Sequence, residues 1–509
     1  MKTTYNKKIK SKIRYLLSVV IITSIFQSCA DLDEDPTIAQ LAPGAYSKIQ
    51  ELELGVTGVH ARLNDASWMT TFYAPFWAGD DITTHFGSNK AEFREFDQRQ
   101  VSQANSRVKN NWEAIYRTIR AANTVLSNNE GLILTDPGEI ETQTRLIAEV
   151  YFLRGVMFFH LARIHGQIPL PLVPDPDQQL GLSDQVTVYE QIESDLLAAE
   201  SGLPDVYPGV NAGAPRPNSG SARALLARLY LDWAGFPVKD NAKYAEAATI
   251  AKQVIDNSAA HNFALLDDLE DLWTLANVFN SESVWTIPYC KSCGQPNRKF
   301  GKLGNPSDLA GWQETFAEIR FFEDFPEGPR KEATYRTEHD WENFNDQPTP
   351  VFKKIVGPIE DNLAPDFQTD RNDFFIRYAE VLLIYAEASA RSGNITAEAW
   401  EALNMIRRRA EGLPFNTPNA GVDVTTGDLA ELAFTERKWE FAGEYLRWND
   451  LVRMERVEQA LSNRAPQTSM NSSGELLPEF NPIKGSLGTD NYFAPIPQRE
   501  IDLNPSVNN

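Results

Sequence analysis

Cysteine and histidine are scarce in this chain of 509 residues: three cysteines, at positions 29, 290 and 293, and six histidines. They are too few and too scattered for a zinc or iron–sulfur site, so no metal and no cofactor is expected. Positive charge is also in deficit, with Lys plus Arg 48 against Asp plus Glu 70 and a formal charge of −22. That balance disfavours phosphate backbones and anionic lipid headgroups, which removes nucleic acid from the expected partners. Long apolar runs are missing. The best, Tyr15 to Phe26, has 12 residues, short of the roughly 18 that span a bilayer. Also absent are a G-x-S-x-G elbow, an H-E-x-x-H pair and a phosphate-binding glycine loop, so the sequence offers no catalytic signature. What remains is an ordinary globular composition, 42% hydrophobic, in a chain long enough to bury a large core.

The first residues have a separate job. Lys2, Lys7, Lys8, Lys10, Lys12 and Arg14 precede the short apolar stretch, with no acid among them, and Gln27-Ser28-Cys29 follows it. This is the pattern of a secretory signal over residues 1–28. Ser28-Cys29 resembles a bacterial lipobox, which makes Cys29 the expected lipidated N-terminus. The acidic run Ala30 to Pro36 cannot pack and reads as part of a tether over 29–40. It is not a calcium loop, because positions six and twelve from Asp31 are Pro36 and Ala42 where an EF-hand needs Gly and Glu. Loss of the six positive charges in 1–28 leaves the mature chain near −28. In an exported chain, Cys290-Lys291-Ser292-Cys293 is expected to close as a local disulfide.

The body, 41–509, has helical periodicity. Ala148, Gly155 and Ala162 recur every seven residues within 141–165, a stripe of small side chains that lets another helix come close. Alanine-rich amphipathic segments follow at 107–127, 219–235, 241–257, 374–392 and 396–411, several adjacent in pairs, which predicts an α-solenoid. Thr187-Val188-Tyr189-Glu190 and Asp428-Leu429-Ala430-Glu431 fit the capping box, so helices should begin at 188 and 429. Gly393 should stop the helix before it. The strand signal is local, at Ser283 to Pro288. The expected fold is mostly α: a helix-pair scaffold over about 107–257 and 374–456, and an irregular lobe over about 60–100 and 258–372.

Several blocks resemble one known family. Ala148-Glu149-Val150-Tyr151-Phe152-Leu153-Arg154 followed by Gly166-Gln167-Ile168-Pro169-Leu170 is similar to a segment of the SusD-like (RagB/SusD) nutrient-binding lipoproteins. Arg377 to Ala388 resembles that family's most diagnostic block. Leu403-Asn404, Ile406-Arg407, Glu436-Arg437, Arg447-Trp448-Asn449-Asp450-Leu451 and Pro495-Ile496-Pro497 continue in the family's order. The resemblance implies tetratricopeptide-like helix pairs with a loop-rich lobe packed beside them. It further implies a lipid-anchored protein on the outer face of the outer membrane that captures an oligosaccharide or other small nutrient and partners a SusC-like TonB-dependent transporter. The rival expectations are an exported, mostly helical glycoside hydrolase and a tetratricopeptide-type adaptor that binds protein only.

Candidate ligand residues come from aromatics in irregular segments. Trp68, Tyr73, Trp77, Asp80 and Asp81 fall within one such stretch; Tyr289 and Trp312 flank the C-x-x-C pair, in a region from which family members often supply ligand contacts. Flat rings beside carboxylates suit a sugar, whose C–H face stacks while its hydroxyls donate. The competing expectation is a hydrophobic mini-core beneath a loop. As neighbours, Asp80 and Asp81 point apart, which fits a hydroxyl acceptor better than an acid/base couple. Trp273 and Trp285 are assigned to the core. Arg377, Glu380, Glu387, Glu436 and Arg447 are read as scaffold ion pairs, so no catalytic residue is assigned.

Overall fold

The computed structural model describes residues 46–67, 72–84, 90–298, 303, 314–337, 348–356, 368–464, 470–471, 473–476 and 482–508. The expected signal, the tether and Cys29 lie outside them. The helices used below are α1 (Ile49–Ser67), α2 (Ala91–Asp97), α3 (Ser106–Asn129), α4 (Pro137–His165), α5 (Gln185–Gly202), α6 (Ser219–Trp233) and α7 (Lys243–Asp256). They are followed by α8 (Ile319–Asp324), α9 (Pro329–Thr334), α10 (Tyr378–Arg391), α11 (Ala397–Ala410), α12 (Leu429–Glu440), α13 (Arg447–Arg453) and α14 (Val457–Leu461). None of the described helices is long and apolar enough to cross a membrane.

Each long helix packs on the next. The succession runs α3 on α4, α4 on α5, α5 on α6, α6 on α7, then α7 on α10 and α10 on α12, with α1 laid against α3. The central member, α4, starts where Asp136 accepts the Gly138 and Glu139 N–H groups at 2.9 and 3.0 Å, with Pro137 in its first turn. Phe152, Leu153, Phe158 and Leu161 are buried within it, each contributing about 1.5–3 kcal/mol relative to exposure. The small-residue stripe meets α5: a Cβ on Gly155 would lie 3.2 Å from that of Asp195, and one on Gly202 would lie 2.7 Å from that of Ala148. Across the same contact Arg154 grips Asp195 through Nε and Nη2 at 2.8 and 2.6 Å.

Two boundaries differ from the sequence expectation. Helix α5 begins at Gln185 and not at 188, because Asp184 is the cap: it accepts both the N–H and the hydroxyl of Thr187 at 3.0 and 2.9 Å. A carboxylate acceptor outcompetes a threonine hydroxyl here. The segment expected as one helix over 374–392 is split. Asp373–Arg377 is a strand, since Asp373, Phe374, Ile376 and Arg377 pair with the 283–287 strand before the helix starts at Tyr378. The other expected ends hold: Asp428 caps α12 through the Glu431 N–H, and Gly393 at φ +80° follows α10.

All strand pairs among the described residues are short and antiparallel. Strand β1 (Ile82–Thr83) pairs with β3 (Phe316–Ala317), and β2 (Ser283–Ile287) pairs with Asp373–Arg377, which is β7 in chain order after β4 (Tyr335–Arg336), β5 (Pro348–Thr349) and β6 (Val351–Phe352). One cluster of buried side chains runs from Tyr46 to Tyr492 and joins the helices to the lobe through Trp77, Trp285, Tyr335 and Phe352.

Candidate functional site

Residues 72–84 form a short turn of helix at Ala74–Ala78, with Pro75 in its first turn, and bend through 79–81 into β1. Phe72 stacks on His160 at 3.8 Å and Tyr73 on Tyr445 at 4.7 Å, while the Trp77 ring lies 4.4 Å from Phe93. Trp77 is 0% exposed and Tyr73 8%. The expected open platform is therefore corrected at these two positions: their rings are consumed by packing against residues distant in the chain.

The two carboxylates are corrected for a similar reason. Asp80 accepts from Arg447 Nε and Nη2 at 2.6 and 3.0 Å, a buried bidentate pair. Asp81 accepts the Gly443 N–H at 2.9 Å, and its own carbonyl accepts the Glu318 N–H at 3.0 Å. Neither side chain faces solvent. They pin the 72–84 segment to the C-terminal helices, and their lone pairs are directed into the protein instead of towards a ligand. Arg464 closes the same clamp by donating to the carbonyls of Gly79 and Ile82 at 3.1 and 3.0 Å, and to Asp97.

Tyr289, at the end of β2, is also buried. Its hydroxyl meets Ser67 Oγ at 2.6 Å and Asp373 at 3.4 Å, and its N–H donates to Asn372 at 2.9 Å. Burial pushes the Tyr73, Tyr289 and Tyr445 phenols up, and Asp373 adds to the shift of all three. The structure thus brings Tyr73 and Tyr289 together as buried packing around one acid, Asp373. Trp68 and Trp312 lie outside the described residues.

Beyond Tyr289, Cys290 and Cys293 are joined in a disulfide, and Cys290 exchanges backbone hydrogen bonds with Gln295 at 2.7 and 2.9 Å. Residues 291–294 form an exposed tip. Trp273, assigned to the core from the sequence, packs on the buried cluster of Leu269, Leu272 and Ala333. Trp273, partly exposed, meets Phe374 edge-on at 5.4 Å, and Phe279 is 40% exposed. Asn372 ties Val278 to the base of the tip: its amide donates to the Val278 carbonyl at 2.8 Å while its oxygen accepts the Tyr289 N–H at 2.9 Å.

Behind this lobe stands a buried lattice of ion pairs. Arg377 donates to Glu282, Glu440 and Glu444 at 2.6, 2.7 and 2.8 Å, and Arg409 binds Glu282 and Glu440 from the other side. Arg330 reaches Glu436 at 2.6 Å; Glu380 lies between Arg228 and Arg437; Glu387 accepts both Arg453 nitrogens at 2.7 Å. Burial opposes ionisation of Glu440, yet Arg409, Arg377 and Arg330 hold its carboxyl well below the usual range. The motif charges read as scaffold are scaffold, with the partners named.

Two acids at the clamp behave in the opposite way. Burial holds Asp81 up at about 6 and Glu318 up at about 7, against ordinary values of 3.8 and 4.5. The folded chain then keeps protons that the unfolded chain releases, so their contribution is full below about pH 4 and is lost as pH rises to about 7. Glu318→Gln removes that loss at its site. Its melting temperature relative to the parent should rise between pH 5 and pH 8, with a ceiling of about 3 kcal/mol. A gap that does not change with pH contradicts the assignment.

Comparison with known proteins gives consistent matches. A family model described as "SusD family" matches residues 331–509, and one described as "Starch-binding associating with outer membrane" matches residues 32–231. SusD-like protein P2 of Formosa agariphila is 24% identical, over 87% of this chain and 90% of its own length; SusD-like protein P25 of the same organism is 25% identical, over 86% and 89%. Among solved structures, a SusD homolog from Bacteroides thetaiotaomicron superposes with a TM-score of 0.74 at 24% identity, over 91% of this chain and 97% of that one. A laminarin-binding SusD-like protein gives 0.70 at 24%, over 90% and 98%. A structure determined with a xylogluco-oligosaccharide gives 0.70 at 19%, over 89% and 98%.

Proposed function

The chain belongs to the SusD family, and from that premise we propose that it is a cell-surface lipoprotein that captures an oligosaccharide and delivers it to a SusC-like TonB-dependent outer-membrane transporter. The observation that carries the reading is the match over nearly the whole chain to a fold that a laminarin-binding protein and a protein crystallised with a xylogluco-oligosaccharide share. The description of the N-terminal match, starch-binding associating with outer membrane, supports the location, and the signal pattern ending at Cys29 supports lipid anchoring. Against the hydrolase alternative, the adjacent acids that came closest to a catalytic pair are buried, one on Arg447 and the other on the Gly443 N–H.

In this reading Trp68 and Trp312 stack on the sugar, while Tyr73, Trp77 and Tyr289 are buried and support the lobe. The disulfide tip braces the same lobe. The test is capture by intact cells: cells making the parent chain should retain fluorescent oligosaccharide and co-purify a TonB-dependent β-barrel. Cys29→Ala should leave the membrane fraction and abolish capture. Capture and fractionation unchanged by Cys29→Ala would contradict a lipid-anchored receptor.

A further inference from the structure

A concavity lies where the lobe residues Asp80, Glu318, Arg320, Phe321 and Asp324 meet the C-terminal helices. It is a cavity of about 300 Å³ between α8, α12, α13 and α14, a size at the lower end of small-molecule pockets. We propose that it is a second carbohydrate site, one that takes a saccharide unit bearing a carboxylate or sulfate group. The proposal rests on the reading of the chain as a glycan-binding protein.

Charge is the first argument. The chain carries −22 overall, yet this wall presents Arg320, Lys438, Arg447, Arg456 and Arg464. Against them stand three acids, Asp80, Glu318 and Asp324. Asp80, Glu431 and Asp97 offset Arg447, Arg456 and Arg464, so the attraction of this concave wall for an anion is local and centres on Lys438.

The second argument is which cation is uncommitted. Arg447, Arg456 and Arg464 already spend nitrogens on Asp80, Glu431 and Asp97. Among the described residues the Lys438 ammonium has no hydrogen bond or ion pair; it rests 4.0 Å over the Trp439 ring and 4.7 Å over Phe321. Ring faces hold an ammonium in place without neutralising it. Burial, in agreement, pushes its pKa down, although Asp80 pulls the other way. A partly buried cation that is oriented but unpaired gains from an incoming anion.

Size and neutral polarity favour a sugar over a bare ion. Thr435, Gln459 and Asn463 line the same cavity, giving hydroxyl and amide groups beside the cation, which is the mixture that a ring carrying both hydroxyls and an acid requires.

The experiment titrates the protein with glucuronate, glucose 6-sulfate, glucose and inorganic sulfate, following chemical shifts by NMR. Glucuronate or glucose 6-sulfate should saturate and weaken with added salt, and glucose should not bind here. Lys438→Gln should lose roughly ten- to hundredfold in affinity while melting like the parent, and Lys438→Arg should recover part of it. Glucose binding as well as glucuronate, or parental affinity in Lys438→Gln, overturns the proposal; sulfate binding as tightly as the sugar acids overturns the saccharide class. Displacement by polyglutamate without any sugar binding reassigns the cavity to a protein partner. Trp312→Ala should not affect this site. Its failure, with Trp312-dependent glycan binding intact, sinks this inference and leaves the glycan-capture reading standing.

Discussion

Arg377→Ala is expected to destabilise the protein by about 3–5 kcal/mol, enough to lower its melting temperature by several degrees or to prevent folding. The guanidinium is 2% exposed and serves Glu282, Glu440 and Glu444 together. Removing it leaves carboxylates that were taken from water and now lack a counter-charge, which costs far more than the net worth of the pairs. Arg409 still faces Glu282 and Glu440, so the effect should be smaller when Glu444→Gln alone is made, because that acid keeps hydrogen-bonding capacity. Denaturant midpoints read both. A variant that kept the parental midpoint and lost only ligand affinity would move Arg377 from scaffold to site.

Trp77→Ala should be comparably damaging, at about 3–5 kcal/mol, because it opens a cavity against Phe93 where the ring is fully buried. The consequence separates two roles for one aromatic stretch. A stacking residue loses affinity and keeps stability; a floor residue loses stability first. Chemical denaturation of Trp77→Ala alongside the parent decides between them, and an unchanged midpoint would restore Trp77 to the ligand platform.

The helical scaffold could be read from the sequence because its determinants are local. Asp428 caps α12, Gly393 follows α10, and the Ala148 and Gly155 stripe marks the face on which α5 lies. The start of α5 was misplaced where two acceptors, Asp184 and Thr187, stood three residues apart and the charged one took the cap. The fate of the aromatics was not local. Trp77 and Asp80 look like a sugar platform by residue type, but Asp80 is bound by Arg447, 367 positions along the chain, and no short-range pattern records that contact. For the same reason Glu282, just before β2, gave no hint that it anchors both Arg377 and Arg409. Trp273 packs on Leu269, Leu272 and Ala333, as its assignment to the core expected.

The most direct test of the central claim is isothermal titration of the purified chain against a panel of host, plant and microbial glycans, with reducing ends assayed in the same cell. The account predicts saturable binding of at least one oligosaccharide, no release of reducing ends, and affinity roughly ten- to hundredfold weaker in a folded Trp312→Ala variant, as expected for the loss of one stacking ring. A bound glycan that is cleaved, or one held with undiminished affinity by both Trp312→Ala and Trp68→Ala, would contradict it.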